Sequence, residues 1–169
     1  MRVLVAFGSK RGGTAGLAAM IGDALTEAGY EAEVRPAHEV HDLAGFDAVI
    51  VAGALYMSRR HRDARRFVRR NDATLRSLPV WLVSSGPGDD SAAQHDIPPT
   101  SQVRKLGARV GARGHVTFGG RLSPDAKGLL ASAMAKKNAG DWRDPAHVRR
   151  WVATVVSELQ TPDALSGPD

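Results

Sequence analysis

Arg2-Val3-Leu4-Val5-Ala6-Phe7, then Gly8-Ser9-Lys10-Arg11-Gly12-Gly13-Thr14, then a helix-patterned run that begins at once: this opening decides the fold. The short apolar run bounded by glycine reads as a buried strand. Behind it Leu17, Met20, Ile21, Ala24 and Leu25 recur at helical spacing, and Gly29 stops a helix of about 14–28. A strand that ends in glycines and hydroxyls, with a helix starting directly, is built to hold an anion. The free N–H groups of the first helical turn and the positive end of the helix dipole converge on the loop. Gly12 and Gly13 let the backbone approach a phosphate, and Ser9 and Thr14 offer hydroxyl donors. An ordinary glycine-rich strand-to-helix turn is the plain alternative.

The loop does not match the two commonest phosphate fingerprints. A Walker loop needs lysine after its second glycine, and here Thr14 follows Gly13. The dinucleotide pattern Gly-x-Gly-x-x-Gly is absent between Gly8 and Gly16. What remains suits a single terminal phosphate, as on a mononucleotide such as FMN.

The chain has 169 residues, enough for one domain with a real core and too few for two ordinary ones. Residues 1–160 are expected to form that domain and 161–169 a frayed tail. Apolar content of 43% excludes a disordered chain. With no cysteine there is no disulfide, iron–sulfur cluster or thiol redox site, so any electron chemistry needs an organic cofactor. No metal is expected. The first residues read as a strand rather than a signal peptide, and no run is long enough to span a membrane, so the cytoplasm is the expected location.

Net charge is +5 and uneven. Arg59, Arg60, Arg62, Arg65, Arg66, Arg69 and Arg70 face a single acid, Asp63, within twelve residues. The cluster reads either as a solvated helix face or as a surface for anions: an acidic partner, carboxylated substrates or an anionic membrane. Nucleic acid is not expected, because no aromatics interleave with the arginines.

Strand and helix alternate along the chain. Strands are expected near 2–7, 31–35, 47–53, 80–84 and 115–119, with helices over about 61–76 and 101–110 between them. Ser123-Pro124 opens a segment reaching about Lys137, with Leu129, Leu130, Ala133 and Met134 at helical spacing. Asp144-Pro145 opens a last helix whose inner face is Val148, Trp151, Val152, Val155, Val156 and Leu159. Five strands joined by helices imply a parallel sheet covered on both faces. Ligands of such sheets sit beyond the carboxyl ends of the strands, which points to loops 8–14, 53–61, 84–96 and 119–123. Trp81 and Trp151 read as core, and Trp142 as packing more than ligand contact. His95 and His115 have no acid partner in the sequence and read as structural or exposed.

Over nearly its whole length the chain resembles the flavodoxin superfamily, and within it the flavodoxin-domain proteins that include bacterial quinone-dependent protoporphyrinogen IX dehydrogenases. Ser9-Lys10-Arg11-Gly12-Gly13-Thr14 is similar to that family's phosphate loop. Ala52-Gly53-Ala54-Leu55-Tyr56-Met57 is similar to its second loop, and Val80 through Ser85-Gly86-Pro87 to its third. Gly140-Asp141-Trp142-Arg143-Asp144 resembles a motif before its final helix. The resemblance implies an α/β fold: a flavodoxin-like, doubly wound, five-stranded parallel sheet of order 2-1-3-4-5 with helices on both faces. It implies FMN as cofactor, held by Ser9, Lys10, Arg11, Gly12, Gly13, Thr14, Ala54, Leu55, Tyr56, Met57, Ser85, Gly86, Pro87 and Gly88. No catalytic acid or base is assigned.

Two departures bear on function. Electron-shuttling flavodoxins are acidic, whereas this chain is basic. Flavodoxins often stack two aromatics on the flavin, whereas Ser84–His95 contains none, leaving Tyr56 with Met57 or His95 to cover the ring. Lys10, Arg11, Arg59 and Arg60 would stabilise a reduced, anionic flavin and raise its potential. That favours an FMN-dependent dehydrogenase that oxidises a small-molecule substrate and passes electrons to a quinone, at the inner face of the membrane, with the 123–137 segment helping to admit the quinone. The alternatives are an electron carrier that docks to a redox-protein partner, and an interaction module of the same fold without flavin. A homodimer is compatible with all three.

Overall fold

The computed structural model describes residues 1–8, 13–54, 62–86, 89–122 and 140–161. Strand β1 (Arg2–Gly8) leads into helix α1 (Gly13–Glu27), and β2 (Glu31–Pro36) into a single 3₁₀ turn over Ala37–Glu39. Next come β3 (Ala48–Ala54), α2 (Arg62–Arg70), α3 (Asp72–Arg76) and β4 (Val80–Gly86). They are followed by α4 (Ser91–Gln94), α5 (Ser101–Val110) and β5 (Gly114–Gly119). A short ribbon of β6 (Arg121–Leu122) and β7 (Gly140–Asp141) precedes the last helix, α6 (Pro145–Gln160).

The five main strands form one sheet in the order β2-β1-β3-β4-β5, every pair parallel. This is the doubly wound order expected. Period-2 alternation sends each strand's side chains to two separate cores. Val3, Val5, Ile50, Trp81, Val83 and Phe118 face α1 and α6, meeting Leu17, Ile21, Val148, Val152 and Val155. Leu4, Ala6, Val49, Val51, Val80 and Leu82 face the other side, against Phe67, Val68, Leu75 and Val110 of α2, α3 and α5. Both faces are therefore covered by helices, as continuous apolar strands require.

Local signals act as their chemistry demands. Gly29 takes φ +90°, and Tyr30 N donates to Leu25 O, closing α1 where the glycine stop was read. Asp144 accepts from Ala146 N at 2.9 Å with Pro145 in the first turn, so α6 starts where Asp-Pro was read. Trp81 is in the core, its Nε1 donating to Glu158 at 3.2 Å. Trp151 is only half-buried, its ring edge-on to Phe118 at 5.7 Å.

The single helix expected over 61–76 is two. Asn71 Nδ2 donates to Phe67 O at 2.9 Å, and Asn71 leaves helical geometry with φ −111° and ψ 17°. Phe67 O also keeps the Asn71 backbone N–H at 3.1 Å, so the carbonyl is shared between side chain and ladder where the helix is interrupted. The ribbon β6–β7 and the one-turn helices were not legible, being too short for periodicity to register. The 123–137 segment and the tail beyond Thr161 lie outside the described residues.

Helix α2 tests the assignment of its faces. Phe67→Ala, at a fully buried position, should cost about 3–5 kcal/mol in urea unfolding, whereas Arg66→Ala on the exposed side should stay within about 0.5 kcal/mol.

Candidate functional site

All five strands point their carboxyl ends the same way, so the loops that follow them meet at one rim. In register, Gly8 of β1 pairs with Gly53 of β3, and Gly53 with Ser84 of β4. One step further, Ala54 pairs with Ser85, and Gly86 with Gly119. The described strand ends of the rim are thus glycine, alanine and serine across four strands, with Trp142 packed against Gly119 at the β5 end. At its α1 side lie Gly13 and the buried Thr14, in the first helical turn. Their backbone N–H groups are donors without a partner inside the helix, aligned with the dipole.

Of the residues read from sequence as cofactor-binding, Gly13, Thr14, Ala54, Ser85 and Gly86 are brought to this one rim. Ser9, Lys10, Arg11, Gly12, Leu55, Tyr56, Met57, Pro87 and Gly88 lie outside the described residues, as do Arg59 and Arg60. The set present fits a nucleotide monophosphate carrying a planar ring: N–H groups and a hydroxyl at a helix start, beside strand ends of small residues. Among the described residues no group of His, Asp and Glu could hold a metal.

On the α2–α5 side the rim opens into a cleft of about 270 Å³. Gly53 and Ser84 form part of its wall, with Leu82, Val103 and Leu106 supplying apolar surface and Arg65 and the Thr100–Gln102 turn supplying polar groups. Thr100 caps α5, its hydroxyl accepting from Val103 N. Within the third loop, Asp89 accepts from the Ser91 hydroxyl and N–H, and these bonds hold its carboxyl below the usual carboxylate range. His95, a candidate to cover the ring, is exposed beyond α4.

His115 has a partner that the sequence could not reveal. Its Nε2 lies 2.8 Å from Ser84 Oγ, and Thr117 Oγ1 donates to Ile97 O at 3.4 Å. Strand alternation places Ser84, His115 and Thr117 on one face; the β4–β5 register sets His115 opposite Leu82 and Ser84 opposite Thr117, so the His115 ring reaches Ser84 diagonally. Burial pushes His115 down to about 4, so the ring is neutral near pH 7 and fixes the end of β4 beside Ser85 and Gly86. His147, packed edge-on against Phe118 at 4.7 Å, is also lowered, by burial first and then by Arg150.

The flavodoxin-domain family model matches residues 4–137, and the chain belongs to that family. Among solved structures it is similar to a cysteine-to-serine variant of the Pseudomonas aeruginosa flavodoxin, with TM-score 0.62 and 18% identity, over 95% of this chain and 100% of that one. It is also similar to oxidised flavodoxin 2 from Bacillus cereus, with TM-score 0.60 and 14% identity over 94% and 99% of the two chains. A Fusobacterium nucleatum flavodoxin variant bound to flavin mononucleotide matches at TM-score 0.53 and 14% identity, over 93% and 96%. At these identities the likeness is one of fold. No curated protein matches the chain.

The neutral histidines make stability depend on pH. In the unfolded chain His115 takes up a proton as pH falls below about 6.5, whereas in the folded protein it resists until about 4. Folding is therefore penalised progressively from pH 6.5 down to 4, and the penalty is absent above that window. The ring is half-open to solvent, so its share should be on the order of 1 kcal/mol. Thermal unfolding of His115→Gln across this range should show a shallower acid limb than the parent protein.

Proposed function

We propose that this chain binds FMN at the strand-end rim and works as an electron-transferring flavoprotein. The observation that supports it is the meeting of α1's first turn with the small-residue floor of Gly8, Gly53, Ala54, Ser85 and Gly86. Gly13 and Thr14 would hold the phosphate and the floor would carry the ring. FMN, when bound, supplies reversible one- and two-electron chemistry, and the chain has no cysteine thiol to do so in its place. The chain's own groups orient the cofactor and set the charge around it.

The finer reading is a dehydrogenase that oxidises a small organic substrate, of the protoporphyrinogen type, and delivers electrons to a quinone at the cytoplasmic face of a membrane. Charge supports it. Arg62, Arg66 and Arg69 are exposed on α2, and Arg65 lines the cleft beside Gly53 and Ser84. Cations near a redox group favour its more negative, reduced form, which suits a group that accepts electrons from substrate. The same arginines would attract an anionic lipid surface, where quinone is dissolved. Among the described residues no helix is long and apolar enough to cross a membrane, so approach from the surface is the mode proposed.

Titration of apoprotein with FMN tests the cofactor. Thr14→Val should weaken binding by about 1–3 kcal/mol, the loss expected for hydrogen bonds to a charged group; equal affinity would remove Thr14 from the site. Turnover with a porphyrinogen and a menaquinone analogue tests the finer reading, since a carrier that serves a redox-protein partner would show neither. Reversing Arg62 and Arg66 to Glu should weaken attachment to anionic vesicles at low ionic strength, and the difference should shrink as salt is raised.

A further inference from the structure

We propose that Arg143 is a phosphate-selecting residue of the rim: paired with Asp141, it presents a fixed positive charge to the first turn of α1. The proposal rests on the FMN reading above and assigns its phosphate a partner outside the loop that follows β1.

The guanidinium is held from one edge. Asp141 Oδ1 accepts from Arg143 Nε at 2.9 Å, and Oδ2 from Nη2 at 2.6 Å. Asp141 Oδ1 also accepts from the Arg143 backbone N–H at 3.1 Å. The remaining nitrogen, Nη1, lies against Gly16, so close that a Cβ at that position would collide with it. Gly16 stands three residues into α1, which is about 4.5 Å along the axis from Gly13. Glycine is unfavourable inside a helix compared with alanine. What position 16 gains from it is room for the guanidinium.

Burial is asymmetric across the pair. The Arg143 side chain is 11% exposed and that of Asp141 46%, so the carboxylate faces water while the cation is pressed inward onto the helix. The hydrogen bonds to Asp141 raise the Arg143 pKa further, so the charge is permanent. The chain on either side is anchored: Trp142 N donates to Gly120 O at 3.0 Å, and Asp144 caps α6. Arg143 is therefore positioned before any ligand arrives.

A cation at the positive end of a helix is repelled by the dipole. Asp141 offsets this only in part, because it occupies the opposite edge of the guanidinium from Nη1. An anion at the start of α1 reverses it, since both the helix and Nη1 then act on it with the same sign. A terminal phosphate meets that requirement, and an uncharged hydroxyl in its place does not.

The test compares FMN with riboflavin, which keeps the ring and lacks the phosphate. The full-length apoprotein, Arg143→Gln and Gly16→Ala are titrated with each, by flavin fluorescence quenching, after thermal unfolding confirms that each is folded. The parent protein should prefer FMN. Arg143→Gln should lose about 10- to 100-fold in FMN affinity with riboflavin affinity unchanged. Gly16→Ala, whose methyl displaces the guanidinium while leaving a helix-favouring residue, should move FMN in the same direction without lowering the melting temperature, and it decides the question if Arg143→Gln does not fold. A parent protein that binds FMN while both variants keep its FMN-to-riboflavin preference would overturn the role of Arg143 alone. A parent protein that binds neither flavin would overturn the cofactor reading together with this proposal.

Discussion

The parallel pairing of β1 with both β2 and β3 is the constraint on which the rest of the molecule depends. A parallel neighbour cannot be reached by a tight turn, so every strand must be followed by a crossover that returns over one face. Two consequences follow without further instruction. Helices cover both faces, which demands strands apolar on both sides, and Val3–Ala6 and Ala48–Ala52 supply them. Every strand also ends at the same rim, so residues far apart in sequence, Gly13, Ala54 and Ser85, become neighbours by topology rather than by local attraction. At β1 the order turns back on itself, which is where a crevice opens in sheets of this kind.

The fold was legible because its signals are local and repeated. Apolar runs of strand length, helical spacing behind Thr14 and around Val152, Gly29 as a stop and Asp144-Pro145 as a start each act within a few residues. Where the reading and the structure differ, the difference is local too: at Asn71, whose side chain shares the Phe67 carbonyl with its own N–H, the backbone leaves helical geometry although apolar spacing alone would continue the helix. Elements of two to four residues carry too little pattern to be seen.

The site was legible only in part, for a different reason. Gly13, Thr14, Ala54, Ser85 and Gly86 could be named because they follow strands, and topology gathers strand ends. Contacts that depend on register or on tertiary approach leave no trace in spacing. His115 looked solitary until the pairing of β4 with β5 set it diagonally across from Ser84. Arg143 belonged to a recognisable motif before the last helix, yet nothing in the sequence said that its guanidinium lies on Gly16, well over a hundred positions away.

The cationic surplus also divides once the structure is known. Composition treats the arginines as one population, but several are committed inside the fold. Arg70 donates to the Val40 carbonyl at 2.8 Å, tying α2 to the turn after β2, and Arg109 pairs with Asp72 at 2.9 Å, tying α5 to α3. Arg2 bonds Glu33 at 2.5 Å and stacks on Phe46, closing the base of the sheet. Planar guanidinium groups with several donors suit such bridging better than lysine does. Arg62, Arg66 and Arg69 make no ion pair with another described residue, and they point to water from the helix that begins at the rim. Ion pairing leaves the net charge of +5 unchanged, and among the described residues Arg62, Arg66 and Arg69 carry part of that surplus on the helix whose Arg65 lines the cleft. A surface of that kind orients an incoming anionic group more than it binds one tightly, because exposed charges act at a distance and are screened by salt.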